Sequence, residues 1–230
     1  VAIGTPVDIG HNQVSSGTTL AITTTANILT GDFVLIVAMG GTASTQITSV
    51  TTDASGNVYT VPTAGSQTDS ASFAFTPNAV ALNSGATLTV NFGGAAGRHG
   101  IQAYRITGLV TSAAAVLDGA YKENGQLSQN SGSITGARLN QNSNITFAVV
   151  AGGSVDVVTG FAAGAGFTSL GGTASPCFMD IAYQISSGQT ALTFSPSWTT
   201  AGQSRLSLLP SLRGVVSASH DYSGLLGVSS

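Results

Sequence analysis

Short runs in which apolar and polar residues alternate, each ended by a glycine-rich turn, recur along this chain and constrain its fold more than any other feature. TLAITTT (19–25), SASFAFTP (70–77), ATLTVNF (86–92), IQAYRI (101–106), FMDIAYQI (178–185) and ALTFSPSW (191–198) all carry the period of two that half-buries a strand. GDFVLIVAMGG (31–41) is different, a solid apolar run bounded by glycines, as expected of a central strand covered on both faces. Helix signals are nearly missing, since threonine, valine and 30 glycines dominate and Glu123 is the sole glutamate. Turn signals separate the runs at intervals close to the roughly 8–12 residues of sandwiches and barrels. The expected fold is an all-β, antiparallel sandwich, jelly-roll-like.

The runs also repeat. GDFVLIVAMGG is echoed by SNITFAVVAGG (143–153), GATLTVNF (85–92) by GQTALTFS (188–195), and RHGIQAYRITGLV (98–110) by QSRLSLLPSLRGVV (203–216). FAFTPNAVALNSG (73–85) corresponds more loosely to IAYQISSG (181–188). The order is the same in both series, which argues for two pseudo-repeated halves, about 17–110 and 143–216, within a single domain spanning 1–216. Residues 112–142, rich in Gln, Asn, Gly and Ser, read as surface loops joining the halves, with GSITGARL (132–139) as a strand. The end of the chain, SASHDYSGLLGVSS (217–230), lies outside the repeat. Its Tyr222, Leu225, Leu226 and Val228 make it too apolar for a free solvated end, so it is expected to pack as an arm on its own domain or on a neighbouring subunit.

Only 7% of the residues are charged and the net charge is −3, so the surface must be covered by Ser, Thr, Asn, Gln and Gly. Lys122 and five scattered arginines offer no cluster of phosphate-neutralising cations, which argues against nucleic acid as a partner, and no polybasic membrane anchor. The longest apolar run, Phe33 to Met39, is far shorter than the roughly 20 residues of a membrane helix. No signal-peptide pattern is visible in VAIGTPVDIG. Cys177 has no partner for an intrachain disulfide and reads as a small buried hydrophobe.

Motifs that carry chemistry are hard to find. His11, His99 and His220 stand far apart, with no HExxH and no second ligand at metal spacing, and read as surface or turn residues. No G-x-S-x-G elbow, P-loop or dinucleotide fingerprint occurs. Asp53, Asp118, Asp156 and Asp180 are dispersed without the paired-carboxylate pattern of a glycosidase. In TTDASGNVYT (51–60), Asp53, Ser55 and Asn57 alternate as calcium ligands do, but flanking acidic residues are missing. Gly56-Asn57 between two β-rich runs favours a short hairpin turn instead. No metal, no cofactor and no catalytic residue are expected.

The segments GDFVLIVAMGG…ITSVTTDASGNVYTV…GATLTVNFGG…GIQAYRITGLV resemble a β-sandwich pattern recurrent in bacteria and phages. That pattern has a GD-L-L-V strand, an I-x-x-V-T-D-x-x-G-N-x-Y-T hairpin, a V-T-V-T-F strand and an E-Y-x-G-L strand. The resemblance covers roughly 17–216, and AYRITGL departs from it with Ala103 and Arg105 where an acidic residue is usual. Such domains occur in phage virion proteins, in prophage-encoded head or tail components and in some bacterial surface proteins. The resemblance implies a non-enzymatic structural protein of the virion, a capsid decoration, spike or tail-associated subunit, at the virion surface or extracellular. Its partners would be other virion subunits and itself as a homo-oligomer. A carbohydrate-binding or adhesin module and an extracellular filament subunit are the alternatives. For a host glycan, Trp198 and Tyr121 are the rings to watch, although burial in a core competes with that role for Trp198. For subunit contact, Tyr222, Leu225, Leu226 and Val228 are the expected residues.

Overall fold

The computed structural model describes residues 1–40, 46–51, 53–62, 71–94, 98–127, 130–152, 159–173, 178–199 and 204–215. Among them there is no helix, hence none long and apolar enough to cross a membrane. The first half contains β1 (Val7–Val14), β2 (Thr19–Thr23), β3 (Phe33–Gly40), β4 (Ile47–Val50), β5 (Ser72–Thr76), β6 (Thr87–Phe92) and β7 (His99–Ile106). The second contains β8 (Leu117–Asp118), β9 (Lys122–Leu127), β10 (Ile134–Thr135), β11 (Asn144–Gly152), β12 (Thr168–Thr173), β13 (Met179–Ser186), β14 (Thr193–Phe194), β15 (Ser204–Leu208) and β16 (Ser211–Arg213). Every pairing between these strands is antiparallel. The chain is an all-β sandwich, as the alternation predicts.

In the first half, a four-stranded sheet of order β1-β7-β3-β5 faces a three-stranded sheet of order β2-β6-β4. In the second, a seven-stranded sheet carries the path β12-β13-β11-β15-β9, with β16 and β8 joined at its side, and faces the pair β10-β14. The order β1-β7-β3-β5 therefore recurs as β9-β15-β11-β13, and the β2-β6 pair recurs as β10-β14. The four sequence echoes fall on equivalent strands: β3 with β11, β5 with β13, β6 with β14, and β7 with β15 and β16.

The apolar periodicity explains how these layers stack. Along β3, Val34, Ile36 and Ala38 point into the core beneath the three-stranded sheet, with Ile22, Leu88 and Val90. Phe33, Leu35, Val37 and Met39 point the other way, into a core shared with the second half. Strand β11 does the same, sending Ala148 and Val150 towards β10-β14 and Ile145, Phe147, Val149 and Ala151 into the shared core. A strand whose two faces both meet apolar layers has few polar positions, which is why these two segments lose the alternation of their neighbours; the buried polar residues of β11, Asn144 and Thr146, lie near its start and are hydrogen-bonded to Gln141 and Ser211. The order of layers is thus outer sheet, inner sheet, inner sheet, outer sheet.

Residues 112–142, expected to be joining loops with GSITGARL as a strand, do place β10 within GSITGARL and contribute the further strands β8 and β9. Lys122–Leu127 lies along β15 as β1 lies along β7, and Ile134–Thr135 pairs with β14 as β2 pairs with β6. The second repeat therefore begins before residue 143 and the first before residue 17. KENGQL conceals its strand because it sits at a sheet edge, where one neighbour suffices and no apolar alternation is needed.

Apart from Lys122 on β9, no lysine is present to protect the sheet edges. The four register shifts between described strands all fall in pairs that include an edge strand: β1/β7, β4/β6, β12/β13 and β15/β9. Bulges twist an edge away from further pairing, so they serve here alongside the few charges on β1 and β9. At the first, Gly10 has φ +143 and a Cβ would lie 2.9 Å from the Thr23 carbonyl oxygen, so only glycine fits.

Candidate functional site

The loop at Asp53 has the most developed polar geometry in the first half. Asp53 Oδ1 accepts from the backbone N–H of Ser55 (3.0 Å) and of Asn57 (3.1 Å), while Oδ2 accepts from Asn57 Nδ2 (3.0 Å) and the Tyr59 hydroxyl (2.9 Å). The Gly56 N–H donates to the Asp53 carbonyl (3.0 Å), with Gly56 at φ +82. Four donors fill the carboxylate, which makes this an Asx-type turn as the sequence indicates. The hairpin expectation is corrected, however. Strand β4 before the turn pairs with β6 of the outer sheet, whereas Thr60 after it bridges Phe75 of the inner sheet. The turn is a corner between layers, and Asn57 fastens it to the next loop by donating to the Val80 carbonyl (3.0 Å) and accepting from the Val80 N–H (2.6 Å).

Asp32, Asp118 and Glu123 are also committed. Asp32 accepts from the Leu29 N–H (2.8 Å) and pairs with Arg105 (3.3 Å). Asp118, buried, accepts from the Asn140 N–H (2.9 Å) and stands 3.6 Å from Arg213. Glu123 stands 3.7 Å from Arg205. Asp180, on β13, is different: burial pushes its pKa up to about 6. Asp156, Cys177 and His220 lie outside the described residues. No group of three or more His, Cys, Asp or Glu able to hold a metal occurs among the described residues.

His11 is exposed beside Asp8 at 3.5 Å, as a surface histidine should be. His99 is not at the surface. It opens β7 between Gly40 and Val14, is 0% exposed, and stacks on Phe92 with ring centroids 4.1 Å apart. The adjacent Arg98 made it look like a solvated strand entry. Burial pushes its pKa down.

A pH prediction arises from these two groups. The unfolded chain takes up a proton on His99 near 6.5 while the folded chain resists, so that stability is full above this pH and falls on acidification. Asp180 acts oppositely: its folded pKa lies above the unfolded value of 3.8, so acidification through about 6 favours the folded state. Between pH 7 and 5, thermal melting should show His99→Phe gaining stability relative to the unmodified chain and Asp180→Asn losing it. Parallel pH profiles for all three chains would contradict both placements.

The rings considered for glycan stacking face inward. Trp198 is 3% exposed, in the outer core of the second half with Phe194 and Leu139. Tyr121 is 8% exposed, in the shared core, and donates its hydroxyl to Ser207 Oγ at 2.8 Å. Neither presents a ring face to solvent, because each caps an apolar layer. Tyr222, Leu225, Leu226 and Val228 lie outside the described residues.

What the sandwich does present is an uncharged hydroxyl and amide face on each outer sheet. Thr19, Asn91 and Ser49 stand in one row across β2, β6 and β4, and Thr23 and Thr87 in another. Asn91 Nδ2 donates to Ser49 Oγ (3.0 Å) and Thr51 Oγ1 (3.3 Å). On the opposite outer sheet, Thr135 and Thr193 are hydrogen-bonded at 2.9 Å, as are Ser133 and Ser195. The alternation that buries Leu20, Ile22, Leu88 and Val90 creates these faces, and no residue of β2, β4 or β6 is charged.

No family model and no curated protein matches the chain. Among solved structures, it is similar to the major capsid protein P2 from bacteriophage PM2, with 12% identity and a TM-score of 0.28 over 91% of this chain and 99% of that one. A likeness this weak decides neither fold family nor function.

Proposed function

We propose that this chain is a non-enzymatic structural subunit of a phage-like particle, a capsid decoration, spike or tail-associated protein at the virion surface, and that its two halves are tandem jelly rolls. The observation that carries the reading is the repeated strand order, β1-β7-β3-β5 and β9-β15-β11-β13, each facing a smaller sheet. Sandwiches of two facing sheets with such crossed order are the architecture of viral capsid and lectin domains. Supporting it, the outer faces offer hydroxyls and amides in place of charge, which suits close packing against neighbouring subunits rather than salt-sensitive docking. The partners are then other virion subunits and further copies of itself. A lectin-like role is the second reading, favoured by the same hydroxyl faces, but the inward placement of Trp198 and Tyr121 takes away its aromatic platforms.

Sedimentation of the native source material, followed by mass analysis of the heavy fraction, tests the proposal. The chain should travel with a large particle at fixed stoichiometry and remain there at about 1 M salt, where exposed ion pairs are screened within roughly 3 Å. Recovery only in the light, soluble fraction would overturn it.

A further inference from the structure

His99 is fully buried, yet neither of its ring nitrogens has a hydrogen-bond partner among the described residues. A buried polar group without a partner costs free energy, and an unpaired imidazolium in the same place costs far more. The ring sits where the inner and outer sheets of the first half meet at one end. It opens β7, Gly40 and Val14 flank it within the inner sheet, and Phe92, the last residue of β6, stacks on it from the outer sheet. No carboxylate is placed to receive a charge there. Strands β2, β3, β4, β5 and β6 carry no ionisable side chain. On β1, His11 and Asp8 stand in register with Gln102 and Tyr104, which puts Asp8 roughly 17 Å down the strand from His99. The charges of the same strand segment are cationic: Arg98 precedes His99 and Arg105 lies near the far end of β7.

The two ends of the first half are fastened differently. At the far end the Thr25 N–H donates to the Ile9 carbonyl (2.9 Å), and the Asp53 corner, tied to Val80 through Asn57, leads from the outer sheet to the inner one. At the His99 end the outer sheet is held by the Ile47 N–H on Ser72 Oγ (3.0 Å) and by the stack of Phe92 on His99 itself. The second half supplies an internal control. Since β7 corresponds to β15 and β3 to β11, the pair His99–Gly40 corresponds to Ser204–Gly152. Ser204 is as deeply buried, but a serine does not titrate. We propose that His99 is an acid-sensitive latch: its protonation drives the ring off Phe92 and loosens β6, with β2 and β4, from the inner sheet at this end, while the second half stays closed. The closed state resists the proton because burial lowers the affinity of the ring for it. Once open, the ring takes up a proton near its ordinary 6.5, so stability of the closed state is full above that pH and falls below it. Opening is thereby favoured by up to about thirtyfold at pH 5 over pH 7.5. The proposal goes beyond any role in a particle and does not depend on one.

Amide hydrogen exchange of the full chain tests it, read by mass at pH 7.5 and pH 5 and corrected for the intrinsic pH dependence of exchange. Protection of β6 and β2 should fall by about ten- to thirtyfold at pH 5, while that of β11 and β14 holds. The quantity compared between chains is this change with pH, so a variant that is looser at both pH values still gives a clear reading. His99→Phe keeps a ring on Phe92 and His99→Gln keeps polar atoms, and neither takes up a proton, so both should abolish the change in β6. His11→Gln, altered at the exposed histidine of β1, should leave it intact. An equal loss in β6 and β14, no loss in β6, or a loss in β6 that survives both His99 variants overturns the latch.

Discussion

Replacing Phe147 with alanine is expected to cost about 3–5 kcal/mol, the range for deleting a buried aromatic ring from a packed core. Phe147 lies on β11 in the core shared by the two halves, with its ring centroid 6.0 Å from that of Tyr104 and 6.4 Å from that of Tyr183. Tyr104 belongs to the first half and Tyr183 to the second, so the ring joins the two inner sheets. The walls of the resulting cavity are hydrogen-bonded strands, which cannot close over it as a loop could. For a chain of this size the melting temperature should fall by roughly 6–20 °C. The way in which it falls matters more. Trp198, the only tryptophan, reports on the second half by fluorescence, and amide exchange in β6 reports on the first. If the two halves unfold as one cooperative unit through their shared core, both probes shift together in the variant. A β6 protection unchanged while Trp198 melts early would mean two domains that merely touch.

Alternation is local, and it located the strands that have one apolar layer to face. The solid runs of β3 and β11 identified themselves by lacking it, since each serves two cores. Edge strands were the hardest to read. KENGQL shows no apolar alternation in its sequence, and TSLGGT buries little and contains a bulge at Gly171. The polar positions misled for a related reason: local sequence does not say which layer a strand faces. His99 looks solvated beside Arg98 until β7 is placed against Phe92. DASGN looks like a hairpin until its two flanks prove to belong to different sheets. The repeat was the more reliable guide, because duplicated topology leaves the same succession of strand types in both halves even after individual residues have drifted. It was followed less far than the strands extend, since β1 and β9, which complete the two equivalent sheets, are both edges.

Asp53→Ala should be the next most damaging change, at about 2–4 kcal/mol. It leaves two backbone N–H groups, the Asn57 amide and the Tyr59 hydroxyl without their common acceptor, in a place with little access for water. Each buried donor so stranded costs roughly 1–3 kcal/mol, and water reaching the rim recovers part of the sum. Asp53→Asn should cost about half as much, because one oxygen remains to accept while the new amide nitrogen meets donors at Asn57 or Tyr59. The Tyr59 hydroxyl keeps its proton throughout: burial first, then the Asp53 charge and the hydrogen bond to it, push its pKa well above the ordinary tyrosine value. The same measurement separates a corner from a metal site. A carboxylate already filled by four donors gains nothing from calcium, so millimolar calcium should leave the melting temperature of the unmodified chain unchanged. A ligand that bound the folded state at a hundred times its dissociation constant would add about 2.7 kcal/mol. A rise of several degrees in calcium, abolished by Asp53→Asn, would therefore turn the corner back into a ligand loop. A flat response, together with the loss in Asp53→Ala, leaves Asp53 as the fastening by which the chain passes from its outer sheet to its inner one.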